Sequence, residues 1–464
     1  MTRALYWMRN DLRLTENQLF ENAIQNSTSI LCVYVHDPRQ WENTIASIPR
    51  MGWHRRRFLH ETLLELDTQL KNCGLRLVEL WGHPEDVLPE LVEDLKIEIV
   101  YHSKECAPEE RTSENILSAR LGLLGVEIVS DWTSFLLHPD SLPFVPHETP
   151  DVFSDFRKQV EKCGLASIVS SHREKIPTTA APAILSQTPR MLTDLSFILA
   201  DRLTHLNGPS THWAAILPCE TELLEGAGKK QGPFDKMNIM RGGATAGKGR
   251  VENYIFQTRA IASYFDTRNG LLEKNDSTLF SPWLANGSLS PVFVFNKVKE
   301  YESRFEANKS TEWVVFELLW RDFFRLMVLK HGVKIFLPSG IREKREAGRF
   351  DKQTVQDNMK KILTASTPHP FINANMRELI QTGFMSNRGR QNVASHMIHE
   401  LKIPWTWGAW CFESLLVDYD PASNWGNWAY LAGVGNDPRG VRVFDIDKQQ
   451  AMYDAEGNYL SAWG

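Results

Sequence analysis

The sequence predicts two domains, an N-terminal α/β domain with a doubly wound parallel sheet and a larger all-α C-terminal domain. Three observations carry this. The chain has 464 residues, enough for two or three domains that each bury a core. Over residues 4–131 short apolar runs alternate with amphipathic stretches, and from about residue 211 to the end helical periodicity dominates.

Taken in order, residues 4–8, 30–36, 75–81, 97–102 and 126–131 read as strands. Between the second and third, residues 54–72 set Phe58, Leu59, Leu63, Leu66 and Leu70 on one helical face and stop at Gly74. Strands separated by helices pair in parallel through right-handed crossovers. Ligands on such sheets sit at the carboxyl ends of strands, so RNDLRL after the first strand and HSKEC after the fourth are places for a small molecule, or else simple solvated connections. From 132 to 210, Pro139, Pro143, Pro146, Pro150, Pro177, Pro182, Pro189 and Pro209 break every pattern, which marks a connector. Residues 151–162 are compatible with a short helix in it, and no structure is assigned to 170–190. The clearest later helices are 250–267, 290–305, 311–331, 354–364, 373–382 and 388–401. The expected domains are therefore 1–131, 132–210 and 211–464.

Composition narrows the class. The 52 basic and 57 acidic residues leave a net charge of -5, so bulk attraction does not hold this chain to nucleic acid and any such site is local. Six cysteines lie far apart without a CxxC pair, which excludes a zinc ribbon and fits a reduced compartment. Arg3, Arg9, Asp11 and Arg13 interrupt the start where a signal peptide needs an apolar run, and no membrane-spanning run follows, so the expected location is cytoplasmic, or an organelle or nucleus if an address has been removed. Nine of the fifteen Trp lie from Trp283 onward, and their rings can pack, stack on bases or flavins, or carry electrons.

The segment GGATAGKG at 242–249 has the frame of a phosphate-binding loop, but Gly249 stands where Ser or Thr must hold magnesium, so it reads as a glycine-rich turn capping a helix from near Arg250. Gly433 and Gly435 follow no strand and make no dinucleotide fingerprint. Ser277, Thr278 and Ser281 precede a helix, a cradle for phosphate or a plain N-cap. Along 311–326, Trp313, Glu317, Trp320 and Phe324 share a face with Arg321 one turn past Glu317. An aromatic stripe is usually core, but embedding charge in it is costly without a purpose. Asn387, Arg388 and Arg390 open another helix, facing phosphates or bases. Asp418 and Asp420 pair with Asn424 and Trp428, which suits a metal, acid–base work, or the edge of a heterocycle. His396 and His399 read as packing residues, and no metal ligands are assigned. Residues 226–250 and 320–350 each carry a net +5, the footprint of a nucleic-acid backbone or solvated surface.

In this order and spacing, RNDLRL, GGxxAGxxRVExY at 242–254, STLFSPWLA, ELLWRDFFR, GFMSNRGRQ, DYDPASNWGNW and GVGNDPR resemble the cryptochrome/photolyase family, specifically its DASH branch, from residue 3 to YDAEGNYLSAW at the C-terminus. The resemblance implies an α/β antenna domain, a connector and a helical domain holding FAD, with no long signalling tail. It assigns Tyr264, Ser277, Thr278, Leu279, Phe280 and Ser281 to the FAD diphosphate and ribityl chain. Arg321 and Asp418 become the pair beside the flavin, Asp420 the partner of the ring edge, Asn424 the residue near N5, and Asn387 a neighbour of the ring. Glu317 and Trp320 become the acid and the stacking ring for a flipped pyrimidine dimer, Arg390 a cation at DNA phosphates, and Trp428 and Trp405 the first electron carriers.

Some positions depart from the family pattern. Phe350 stands at the usual outer Trp, leaving Trp407 or Trp410 as exits, Pro368-His369-Pro370 replaces Gly-Tyr-Pro, Asn373 replaces Asp, and Ala244 replaces Glu. Loop 104–110 resembles the folate-binding loop, with Glu109 as the contact of a 5,10-methenyltetrahydrofolate antenna. The implied activity is blue-light repair of cyclobutane pyrimidine dimers by electron transfer, preferentially in single-stranded DNA, by a monomer. The alternative is a photoreceptor or DNA-binding regulator with little or no repair, and Glu317 favours repair. A phosphate-loop ATPase is the third reading and predicts a colourless protein.

Overall fold

In a computed structural model, residues 2–44, 48–171, 193–194, 239–343 and 350–464 are described. Most of the expected connector from 172, the first part of the expected helical domain with Cys219, and the basic residues at 229, 230, 236, 344, 345 and 349 lie outside them. Five parallel strands, β1 (Arg3–Met8), β2 (Ser29–His36), β3 (Leu77–Trp81), β4 (Ile99–Ser103) and β5 (Glu127–Asp131), form the sheet in the order β3-β2-β1-β4-β5. A sixth, β6 (Thr193–Asp194), pairs with Ser29 and Ile30 of β2. Two residues carry no periodicity, so the sequence pattern does not mark it.

Helices α1 (Gln18–Asn26) and α2 (Trp53–Asn72) cover one face of the sheet, and α3 (Pro84–Leu95) and α4 (Pro108–Leu123) the other. All five apolar residues expected on the face of α2 are buried, and Gly74 after it takes φ 75°. All eight β2 residues are buried, as a strand covered on both faces requires. Strand order reverses at β1, which opens a crevice between the carboxyl ends of β1 and β4.

Helices α5 (Phe153–Lys162) and α6 (Leu165–Ser171) lead towards the second domain. Its described helices are α7 (Ala244–Glu252), α8 (Tyr264–Thr267), α9 (Ser281–Ala285), α10 (Pro291–Arg304), α11 (Lys309–His331), α12 (Lys352–Leu363), α13 (Pro370–Thr382), α14 (Asn387–Ser395), α15 (Trp405–Leu415), α16 (Pro421–Leu431), α17 (Ile446–Tyr453) and α18 (Asn458–Trp463). The 23-residue α11 runs through their core and starts on a reciprocal cap between Asn308 and Thr311.

Two sequence expectations change here. The glycine-rich run caps a helix, with Gly243 as its N-cap at φ 105°, but that helix starts well before Arg250 and takes in Gly247 and Gly249. The helix begins at Ala244, and a Cβ on Gly247 would sit 2.9 Å from Cγ of Trp283, while one on Gly242 would overlap the Phe58 carbonyl of α2. Close approach to α2 and Trp283 explains Gly242 and Gly247. The expected single helix 250–267 is broken: a π turn at Asn253–Gln257 follows α7, and Arg259 takes φ 53°, outside helical space.

The domains are joined through buried polar contacts. Asp322, fully buried on α11, accepts from the amides of Leu136 (3.2 Å) and Leu137 (2.7 Å). Arg13 donates to the carbonyls of Thr133 (2.8 Å) and Gly287 (2.7 Å), and His54 of α2 lies 2.8 Å from the Ile380 carbonyl.

Candidate functional site

A recess lies between α14 and α16, lined by Asn387, Arg390, Asp418, Asp420, Asn424 and Trp428, with Phe412 at its wall. Local sequence sets each of them. Ser386 caps α14 by accepting from the Gly389 amide, which puts Asn387 and Arg390 in its first turn. Asp420 caps α16 by accepting from the Ser423 amide at 2.8 Å, with Pro421 at the first helical position, so Asn424 and Trp428 fall on one face one turn apart.

Arg390 Nη2 reaches both oxygens of Asp418, at 2.9 and 3.0 Å. This corrects the expected pair. Arg321 does not meet Asp418; it donates to the carbonyls of Ser134 (2.5 Å) and Leu284 (2.9 Å), and so ties α11 to the connector and α9. Arg390, expected at DNA phosphates, is the cation beside Asp418 instead. The reason is tertiary: α14 packs on α16, and Arg390 projects across that seam.

Asp420 bonds to Arg325 Nη2 at 2.5 Å, and both side chains are almost wholly buried. Burial alone would raise the Asp420 pKa, but Arg325 and Arg321 hold it down at about 2, so it stays ionised. Asn424, 8% exposed, donates from Nδ2 to the Ala409 carbonyl at 2.9 Å, which fixes its amide and turns its oxygen to the recess. Trp428 is buried edge-on to Phe412 and lies against Gly408, where any Cβ would overlap its ring. Trp405 donates to the Pro338 carbonyl at 3.0 Å and meets Trp425, which in turn meets Trp410, each at 5.8 Å between ring centres. Phe350 is 40% exposed.

Glu317 of α11 accepts from Trp313 Nε1 (3.1 Å) and Arg268 (3.3 Å), both at Oε1. Burial raises its pKa, against the pull of Arg268 and Trp313. Buried Tyr264 adjoins this acid, and its own pKa is raised well above the ordinary value, by burial first and then by the Glu317 charge. The 277–281 segment is shaped by Arg250, which sequence reasoning missed: 4% exposed, it donates to the carbonyls of Lys274, Ser277 and Thr278 at 3.0 Å each and to Asn275 at 3.1 Å. Leu279 takes φ 56° at the end of that loop, beside Phe280 and Ser281. Arg250 thus fixes the two carbonyls immediately before this strained residue.

Trp320 lies flat on Phe153, 3.7 Å between centres and 8° between planes. One face of the ring expected to stack on a base is therefore already covered. The expected cationic footprint also changes: Arg250 and Arg325 are buried, Arg321 is 12% exposed, and Lys330 and Lys334 pair with Asp151 and Glu343. Among the described residues these runs do not make one open basic face.

A second cleft of about 540 Å³ opens at the sheet's switch point, between loops 8–10 and 105–110 and the helical domain's Trp410, Tyr419 and Trp425. Glu109 stands on its rim, bonded at 2.9 Å to Arg50, which also holds Glu413. Glu105 lines the cleft, and its buried Oε1 has no hydrogen-bond partner. Burial pushes neighbouring Glu110 up to about 7. Asp420 lines both cleft and recess.

The donor set suits a flavin dinucleotide. Amides, carboxylates and a guanidinium line the recess for a polar ring edge, and Arg268 and Arg388 hold buried Nε atoms without partners, which an anionic diphosphate would satisfy. Arg388 also reaches Asn269 at 3.1 Å. Arg250, Arg268 and Arg325 escaped sequence reasoning because only their fold partners distinguish them from surface cations.

Comparison with known proteins agrees with this geometry. Residues 4–181 match the DNA photolyase family and residues 313–463 the FAD binding domain of DNA photolyase. Cryptochrome DASH of Synechocystis sp. is 38% identical over 462 residues, covering 99% of this chain and 87% of that protein. Cryptochrome DASH of Danio rerio is 39% identical over 460 residues, covering 98% and 82%. The crystal structure of the Synechocystis cryptochrome superposes with a TM-score of 0.85 at 37% identity, over all of this chain and 88% of that one. A class III photolyase of Agrobacterium tumefaciens shares the fold, with a TM-score of 0.79 at 24% identity and coverage of 100% and 86%. With an FAD-binding domain built on these residues, the chain belongs to the cryptochrome/photolyase family, in its cryptochrome DASH branch.

Proposed function

We propose that this chain binds FAD at the α14–α16 recess and acts as a monomeric photolyase that splits cyclobutane pyrimidine dimers in light, preferring single-stranded DNA. The carrying observation is Glu317, a half-buried acid tied at Oε1 by Trp313 and Arg268. Bound FAD supplies light-driven electron transfer. Around it the chain orients and tunes. Arg390 and Asp418 hold the ring edge, Asp420 stays ionised beside it, and the Asn424 oxygen sits against it. Tyr264, Arg268, Arg388 and the 277–281 loop hold the diphosphate and ribityl chain. Glu317, held at Oε1 by Trp313 and Arg268, presents Oε2 to a carbonyl oxygen of the flipped base. Unstacking a lesion costs least in a single strand, which supports that substrate preference. Trp428 and Trp405 relay electrons from a solution reductant. The cleft takes 5,10-methenyltetrahydrofolate, with Oε1 of Glu105, which has no hydrogen-bond partner, and rim Glu109 as acceptors for its N–H groups.

The covered face of Trp320 favours a second reading, a photoreceptor or DNA-binding regulator of the same family. One experiment separates them. Flavin-loaded, chemically reduced protein is illuminated with a thymine dimer in a single-stranded oligonucleotide, with a dark control and a duplex comparison. Repair in light alone supports the photolyase reading, and the duplex arm sets the substrate class. A yellow protein that binds the oligonucleotide without repairing it transfers the assignment to sensing.

A further inference from the structure

Independently of the flavin site, His369, His396 and Glu400 converge on one point, with their ligating atoms all within 4.8 Å of one another. His369 Nε2 lies 2.9 Å and His396 Nδ1 3.1 Å from the same oxygen, Glu400 Oε2. The imidazole rings stand at 80° with centres 4.9 Å apart. His396 is 1% exposed, and neither of its ring nitrogens has an aligned hydrogen-bond partner. A carboxylate contact alone thus leaves this buried imidazole unsatisfied. We infer that these three side chains form a binding site for a divalent first-row transition metal, Zn²⁺ in the first instance.

The backbone prepares the site. His396 opens, and Glu400 closes, a single π turn between α14 and the link to α15, fixed by the Leu401 amide donating to the His396 carbonyl at 3.0 Å. Such bulges inside helices often re-aim side chains at functional sites. His369 stands just before α13, and its loop is locked by Asn373, which accepts from the Thr367 amide at 2.8 Å and donates to the Thr367 carbonyl at 2.8 Å.

Ligand chemistry and spacing agree. Zinc takes imidazole nitrogen at about 2.0–2.1 Å and carboxylate oxygen at about 2.0–2.2 Å, so tetrahedral ligands lie about 3.3–3.5 Å apart. The observed 2.9 and 3.1 Å contacts open by a few tenths of an ångström to admit the ion, and the two imidazole nitrogens, within 4.8 Å of each other, adjust to the same spacing. Two imidazoles with one carboxylate suit zinc over magnesium or calcium, which prefer all-oxygen sets. Glu400 is exposed and His369 half-buried, so water reaches the fourth position. The ion would clip the start of α13 to the end of α14, the helix whose first turn carries Asn387 and Arg390.

The test uses the untagged, FAD-loaded full chain after chelator treatment, titrated with Zn²⁺ against a chromogenic competitor. One equivalent binds the parent chain, and the thermal midpoint rises on loading. Replacing outer-shell groups of zinc sites costs roughly 10- to 100-fold in affinity, so removal of a direct ligand in Glu400→Gln or His369→Gln weakens binding at least tenfold. His399→Gln, on the same turn but outside the cluster, leaves affinity unchanged. Co²⁺ gives four-coordinate visible bands in the parent chain that both ligand variants lose, while flavin absorbance and circular dichroism confirm that the variants are folded. No Zn²⁺ binding, or equal binding in both ligand variants, overturns the assignment. Magnesium binding as strong as zinc also overturns it.

Discussion

Replacing Asp420 by Asn tests the electrostatics of the site most directly. The change removes charge but keeps a side chain that caps α16 nearly as well. Arg325, 2% exposed, then loses its 2.5 Å partner and keeps only Glu105 at 4.0 Å. Two routes give the size of the effect. The Asp420 pKa falls from 3.8 to about 2 on folding, and at about 1.4 kcal/mol per pKa unit this is about 2 kcal/mol. Removing one partner of a buried pair costs about 3–5 kcal/mol, because the other charge stays buried alone. The expected loss is therefore about 2–5 kcal/mol, read as a lower urea midpoint at unchanged slope. A folded-state pKa below the unfolded one means this stability is present above pH 3.8 and lost as pH falls towards 2, so the parent chain loses it in that window and the variant does not. Adding Arg325→Met removes the orphaned charge and recovers most of the loss. A single variant costing under about 1 kcal/mol, or a double variant less stable than the single one, refutes the reasoning.

Other expectations follow from the same contacts. Gly408→Ala drives a methyl group into the Trp428 ring and costs about 1–3 kcal/mol by overpacking, seen as a lower thermal midpoint with altered flavin absorbance. Arg250→Ala frees the 274–278 loop from four hydrogen bonds and weakens FAD retention at least tenfold by equilibrium dialysis, with the α/β domain still folded. Asn424→Ala shortens the lifetime of reduced flavin in air, followed by absorbance. Glu317→Ala lowers repair yield more than affinity for the dimer-containing oligonucleotide, and equal losses remove Glu317 from the chemistry.

Much of this protein follows from short-range pattern. Apolar runs and 3.6-residue periodicity determine the five main strands and α2, because a doubly covered sheet must bury whole strands and a crossover helix one stripe. The grouping of Asn387 with Arg390, and of Asp420 with Asn424 and Trp428, is also local, since each set lies within a few turns of a capped helix. What the tertiary structure decides are contacts between residues far apart in the chain. Asp418 takes Arg390 and not Arg321 because α14 packs on α16. Arg250 and Arg325 read as part of a basic surface but are interior cations, since burial depends on what covers a side chain. Of the glycines at 242–247, Gly243 caps α7, while Gly242 and Gly247 mark close approach to α2 and Trp283. His369 meets His396 and Glu400 across 27 and 31 residues. Sequence spacing describes one element at a time, whereas a pair, a cleft or a ligand set exists only when two elements meet.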